Sequence, residues 1–123
     1  MLVDAVISMN KMLIAEHGGS SGLRDRGLLE SALARPKNLF AYVKPKPTLS
    51  TLAAAYAFGI VKNHPFLDGN KRVALTAAAV FLEVNGATLE ACEAETVVVF
   101  RSLAAGRMKE KELATWFQQH VAS

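Results

Sequence analysis

With a single cysteine, Cys92, the chain can close no internal disulfide, and it holds no cysteine cluster with metal-ligand spacing. That absence fits a reducing, cytoplasmic setting. Long hydrophobic runs are missing too. The apolar stretches 51–61 and 73–82 each fall well short of the ~20 residues a membrane-crossing helix needs. Between them lie His64, Asp68, Lys71 and Arg72, so the two cannot join into one span, and no membrane partner is expected. The opening "MLVDAVISMNKMLIAEHGG" has Asp4 early and Lys11 in mid-run, without a basic segment ahead of an apolar block; no signal peptide is expected. Charge of one sign is scarce. Fourteen basic and 11 acidic residues leave a net +3, and no dense basic tract or base-stacking motif appears, which argues against direct nucleic-acid binding. Repeats, low-complexity tails and strand-like alternation are also absent.

What is present is apolar, at 51% of the residues, and helical in its spacing. A chain of 123 residues buries roughly two-thirds of its unfolded surface, enough for one core without staples. One domain over residues 1–123 is therefore expected. Val3, Val6, Ile7, Leu13 and Ile14 predict a first helix over 2–16, broken by "HGGSSG". Asp25 reads as the cap of "RGLLESALA", which ends near Pro36. The stretch "RPKNLFAYVKPKPT" holds Pro36, Pro45 and Pro47 and reads as an extended excursion or a short turn of helix. Thr48 or Ser50 caps a third helix running to about Asn63. Further helices are expected over about Asn70–Val84, Glu93–Ala105 and Lys109–Val121. The fold class is all-α: a compact bundle of about six helices. Its third and fourth helices are apolar nearly all round, which marks them as buried and central.

Those two helices are joined only by "NHPFLDGNKR", residues 63–72. A helix N-terminus has free backbone N–H groups and a partial positive charge, and so favours acids over cations. Lys71 and Arg72 in the first turn of the fourth helix break that rule, at a cost of about 0.3–1 kcal/mol per charge. A bound polyanion would reverse the sign. Free N–H groups, Gly69 allowing close approach and two cations make a phosphate cradle. His64 could take a proton from an attacking hydroxyl. Asp68 could hold Mg²⁺, which is commonly bound by one or two carboxylates plus phosphate oxygens. Asn70 can donate from its amide, and Arg72 can grip two phosphate oxygens at once. The residues alone leave a second reading open, an ordinary polar loop, because lone histidines and "DGN" turns are common.

The stretch "HPFLDGNKR" resembles the signature of the Fic/Doc family: His, any residue, Phe, any residue, an acid or Asn, Gly or Ala, Asn, Gly or Lys, Arg. The upstream "EHGGSSGLRDRGLLESALARP" and the downstream "FLEVNG" resemble its death-on-curing, or Doc, branch. The resemblance covers about residues 10–90 and implies a Fic/Doc-like helical bundle with the motif loop between two buried central helices. It implies His64 as general base, Asp68 as the Mg²⁺ residue, and Gly69, Asn70, Lys71 and Arg72 as the nucleotide-phosphate site. Family members that transfer AMP carry a second Gly where Lys71 stands. Doc-type members carry the lysine and transfer the γ-phosphate of ATP to a protein threonine, with translation elongation factor Tu as the implied target. The implied partner is a cognate antitoxin whose tail folds as a helix into a groove. No glutamate is followed by Gly or Asn, so the inhibitory helix motif of many Fic proteins is missing. The segment "PKNLFAYVKPKP" lies where the family has a target-docking flap; a plain linker is an equal reading. Val73, where Thr is usual, and Asn10, where His is frequent, depart from the pattern. Two alternatives to the kinase remain: a Fic-type AMP transferase, and a binding module without catalysis. Among other candidates, Arg24 and Asp25 are expected to pair as ions, with support of the phosphate site as the second reading, His17 and His120 to lie on the surface, and Cys92 to be a small buried residue.

Overall fold

The computed structural model describes residues 1–122. Six helices account for about 70% of it: α1 (Val3–His17), α2 (Arg26–Tyr42), α3 (Leu49–Asn63), α4 (Asn70–Val84), α5 (Glu93–Ala104) and α6 (Glu110–His120). Two short strands, β1 (Thr88–Leu89) and β2 (Val121–Ala122), pair antiparallel, with Thr88 opposite Ala122 and Leu89 opposite Val121. No helix among the described residues is long and apolar enough to cross a membrane.

The centre of the bundle is α3, packed on α2, α4 and α6. Its residues Leu52 to Ala57 and Gly59 to Val61 are all buried, so every face of the helix meets another element. Small side chains permit that crowding. A Cβ at Gly59 would sit 3.3 Å from both Cα and Cβ of Ala32, so the glycine is what lets α2 cross so closely. Thr48 caps α3 by accepting from the Thr51 N–H at 3.1 Å, and Asp25 caps α2 by accepting from the Leu28 N–H at 3.0 Å, both at positions the sequence marks. The fourth helix buries Val73, Ala74, Ala77, Ala78 and Leu82 against the core; its Leu75, Ala79 and Val80 side is half-open.

Four sequence expectations need correction. Helix α2 does not stop near Pro36 but continues to Tyr42 with Pro36 inside it. A mid-helix proline removes one backbone hydrogen bond and costs about 3 kcal/mol. Here the buried stripe Leu29, Ala32, Leu33 and Pro36, continued by the half-buried Leu39, keeps helical spacing straight through the proline. Burial offsets the lost bond. Half of the expected docking flap is thereby helical, with its backbone already paired, although Phe40, Tyr42 and Val43 remain exposed.

Cys92 is exposed, at the residue preceding α5, rather than buried. His120 is held rather than free. Its ring stacks on Trp116 at 4.8 Å, its Nδ1 lies 2.8 Å from the Trp116 carbonyl, and its Nε2 lies 3.0 Å from Glu95 Oε1. Arg24 and Asp25 make no ion pair among the described residues; each has a separate task, and that of Arg24 is at the candidate site.

Candidate functional site

The loop between α3 and α4 is built from both ends. Phe66 is fully buried and Pro65 is among the most buried side chains, so the loop's middle is anchored in the core. Asn70, at the start of α4, clasps Phe66 twice. The Phe66 N–H donates to Asn70 Oδ1 at 3.0 Å, and Asn70 Nδ2 donates to the Phe66 carbonyl at 3.0 Å. The Asn70 amide thus shapes the loop first; one of its two N–H groups is left over.

The segment between α1 and α2 lies along this loop like a second strand. Leu67 N donates to the Gly22 carbonyl at 3.1 Å, Leu23 and Phe66 form an isolated antiparallel bridge, and both Arg24 N (2.7 Å) and Asp25 N (3.0 Å) donate to the Pro65 carbonyl. Asn10, buried in α1, donates to the Asp68 carbonyl at 2.9 Å and accepts from Gly22 N at 3.4 Å. The Ser20 N–H donates to Asp68 Oδ2 at 2.9 Å. "HGGSSG" is therefore more than a helix break. A Cβ at Gly19 would come within 3.3 Å of Asp68 Oδ2, and one at Gly69 within 3.3 Å of Ile14 Cδ1, so both glycines serve this close approach.

His64 ends α3 in the left-handed region, at φ 50° and ψ 57°, and is the one non-glycine residue with positive φ among those described. Arg24 grips the backbone there. Its Nε donates to the His64 carbonyl at 2.8 Å and its Nη2 to the Asn63 carbonyl at 3.0 Å. These carbonyls, at the C-terminal end of a helix, have no acceptor role within it and carry partial negative charge, so a guanidinium suits them.

Helix α4 opens at Gly69, which sits in the left-handed region at φ 78°. By helix geometry the first-turn N–H groups of Asn70, Lys71 and Arg72 have no acceptor behind them. That of Val73 donates to the Gly69 carbonyl at 2.9 Å. Val73 itself is fully buried, which suits an apolar residue there. The side chains of Lys71 and Arg72 are exposed and enter no ion pair or side-chain hydrogen bond among the described residues.

All six residues singled out in the sequence, His64, Asp68, Gly69, Asn70, Lys71 and Arg72, line one groove of about 1230 Å³. Its other half has an apolar wall, Leu75, Ala79 and Val80 of α4 and Val97 and Phe100 of α5, edged by Glu83, Glu93 and Arg101. Chemically, the mouth joins a histidine, one carboxylate, two unpaired cations and a helix N-terminus. Asp68 has one oxygen taken by Ser20 and the other without a protein partner among the described residues. No group of three or more His, Cys, Asp or Glu occurs among the described residues, so no all-protein metal cage exists. That donor set fits Mg²⁺ shared between one carboxylate and phosphate oxygens.

Sequence reasoning missed Ser20 and, while it named Asn10 and Arg24, gave neither its actual task. Asn10 carried a signal, being a polar residue at the i−4 position from the apolar Ile14 on one helix face. Arg24 carried another, because a cation just ahead of a capped helix start is the same electrostatic mismatch that marks Lys71 and Arg72. Ser20 acts through its backbone and leaves no signal in its side chain.

A six-helix domain whose two central helices are joined by a loop carrying His, an acid and cations is the architecture of Fic/Doc proteins. The chain belongs to that family: the Fic/DOC family pattern matches residues 2–82. It is similar to Toxin Doc of Mycolicibacterium smegmatis, with 45% identity over 74 residues, 60% of this chain and 57% of that protein. It is also similar to Protein kinase doc of Escherichia phage P1, with 32% identity over 83 residues, 68% of this chain and 65% of that protein. The matched region thus spans less than two thirds of the length of either relative.

Proposed function

We propose that the chain is a Doc-type toxin that transfers the γ-phosphate of ATP to a protein threonine. The observation that carries this reading is Lys71: an unpaired cation beside His64 and Asp68, in a helix turn that disfavours cations unless an anion is bound. The name of the phage relative, a protein kinase, supports it.

In the reaction, His64 accepts the proton of the target hydroxyl, whose oxygen forms a bond to the γ-phosphorus. The bond from that phosphorus to the β–γ bridging oxygen breaks, and ADP leaves. Little covalent work falls to the protein; positioning and charge neutralisation carry the rate. Lys71, Arg72 and the first-turn N–H groups of α4 hold the phosphates, and Gly69 lets them approach. The spare Asn70 N–H adds one donor. Asp68 would hold Mg²⁺, which supplies charge neutralisation at the phosphate oxygens when bound.

Translation elongation factor Tu is the target implied by the Doc branch, and a block in translation is the outcome. The apolar half of the groove, between α4 and α5, suits an amphipathic helix from a cognate antitoxin, which would cover the mouth as it binds.

The test supplies bacterial lysate, Mg²⁺ and purified protein with ATP labelled at either the γ- or the α-phosphate, with His64→Ala as control. Label on a protein from γ-ATP only, lost in the control, is the expected result. Label from α-ATP only would make the protein an AMP transferase. No label from either would leave a binding module.

A further inference from the structure

The conformation of His64 is costly in two ways. A side-chain-bearing residue in the left-handed region is strained, and Pro65 pushes the residue before it toward extended backbone. Such a conformation persists only where its surroundings over-determine it, and such strain clusters at active sites. Relaxed to extended backbone, His64 would carry its ring away from its place in the groove lining. Something must hold it.

The contacts around the residue point to one side chain. The Asn63 side chain donates away from the loop, to the Leu28 carbonyl at 2.9 Å. The His64 N–H makes an ordinary helical bond to the Ile60 carbonyl at 3.0 Å, which fixes the incoming peptide but not the rotation after it. Only the Arg24 guanidinium, among the described residues, reaches the carbonyls on both sides of the His64 Cα: Asn63 O before it and His64 O after it. Holding both peptide planes at once fixes φ and ψ together. The planar fork of arginine matches two adjacent acceptors, which a lysine ammonium, a single point of charge, does not. The backbone N–H of Arg24 also donates to the Pro65 carbonyl, so the residue clasps three successive peptides.

We infer that Arg24 is a positioning residue that holds His64 in its left-handed conformation and so keeps the imidazole at the mouth of the groove. Its effect on transfer rests on the proposed function; its effect on the His64 backbone does not. Arg24 touches neither phosphate site nor core, and its variants keep the backbone bonds to Pro65, so the loop stays docked.

Two measurements on the full chain test this, with Arg24→Ala and Arg24→Lys. The first is independent of activity: the ¹³Cα and ¹³Cβ chemical shifts of His64, which report its φ and ψ. The expected result is a left-handed signature in the wild type, a move toward extended values in Arg24→Ala, and a smaller move in Arg24→Lys. The second is the initial rate of γ-label transfer against ATP concentration. Apparent kcat is expected to fall about 10- to 100-fold in Arg24→Ala, because a reacting group misplaced by about 1 Å costs that much, with the KM for ATP within about twofold. Free guanidinium ion added to Arg24→Ala should restore part of the rate. Unchanged His64 shifts in both variants would overturn the inference, whatever the rates. A wild type that transfers no label would overturn the kinase reading while the shifts still decide the role of Arg24. If Arg24→Ala does not fold, Arg24→Lys carries the same decision.

Discussion

Asn70 and Phe66 hold each other by both ends, the Phe66 N–H on Asn70 Oδ1 and Asn70 Nδ2 on the Phe66 carbonyl, each at 3.0 Å. The pair closes a small ring that joins the first residue of α4 to the core-anchored centre of the loop. Both partners are buried. The asparagine assigned to the proposed phosphate site is therefore also the bolt of the loop that carries it.

Truncation of that bolt has a calculable cost. Asn70→Ala leaves one buried N–H and one buried carbonyl without partners, at about 1–3 kcal/mol each. The variant is expected to lose about 2–5 kcal/mol of stability in urea unfolding. Asn70→Asp keeps the acceptor for the Phe66 N–H but turns a carboxylate oxygen toward the buried Phe66 carbonyl, two acceptors face to face, so it should lose at least as much stability. It also sets a carboxylate beside the phosphate site and should abolish transfer. A clearly smaller loss for Asn70→Asp than for Asn70→Ala would show that the Phe66 N–H is the member of the pair that matters.

Much of this arrangement was legible in the sequence, for a physical reason. Lys71 and Arg72 contradict the helix dipole, Thr48 and Asp25 are standard caps, and two all-round apolar helices can only be central; each is a local signal. The helical boundaries of α3 and α4 follow from these. What was not legible is long-range. The clasp of the α1–α2 segment on the motif loop runs through backbone groups and through Arg24, whose partners lie some 40 residues away. The β1–β2 pair joins Thr88–Leu89 to Val121–Ala122 across the whole of α5 and α6, two residues a side, too short to show alternation. At Pro36 a correct local rule was overridden by a buried stripe that continues on either side of it. At His120 the absence of ligand-spaced partners said nothing of Glu95, which a turn of the chain brings alongside.

Glu95 joins α5 to α6 through the sole tryptophan. Its Oε1 accepts from Trp116 Nε1 at 2.7 Å and faces His120 Nε2 at 3.0 Å. Trp116 is buried, so Glu95→Ala strands its indole N–H. A loss of about 1–3 kcal/mol is expected. Trp116 fluorescence, free of interference from any second tryptophan, follows the unfolding. Because α5 also walls the groove, a loosened α5 should weaken binding of any helix in its apolar half. A Glu95→Gln variant, which keeps an acceptor for the indole, should recover most of the stability. If Gln and Ala behave alike, the charge rather than the hydrogen bond is what holds the two helices.

Tyr56 predicts how the fold responds to alkali. Burial in α3, with the ring tilted against Phe81 at 5.0 Å between centroids, pushes the phenol above its usual value of 10.0. Above about pH 10 the unfolded chain releases this proton while the folded one keeps it. The stabilisation is complete below the unfolded value and is lost as pH rises toward the raised folded one. Tyr56→Phe removes this contribution. Urea unfolding of the two proteins between pH 8 and about 11 should show a constant difference up to about pH 10 and a change in favour of the variant above it. A difference that stays constant throughout would mean that the phenol reaches water in the folded state.

On the proposed function, Lys71 is the residue that separates the two phosphate reactions. It is an exposed, unpaired cation in the first turn of α4 among the described residues, at the position where the resemblance implies a glycine in AMP-transferring members. Lys71→Ala should cut γ-phosphate transfer about 10- to 100-fold, in keeping with loss of a charge that acts on the transferring phosphoryl group. Lys71→Gly should do the same and, by reopening the pocket, bring measurable transfer of label from α-ATP. Val73 and Thr76, on the following turn, stay in place in both variants, so the helix end should remain folded; far-ultraviolet circular dichroism checks this. If Lys71→Gly gains no α-label while γ-transfer is lost, the lysine acts by its charge and not by filling space. If γ-transfer survives both substitutions, Lys71 is a solvated surface cation, and the phosphate contact falls to Arg72 and the backbone of α4 alone.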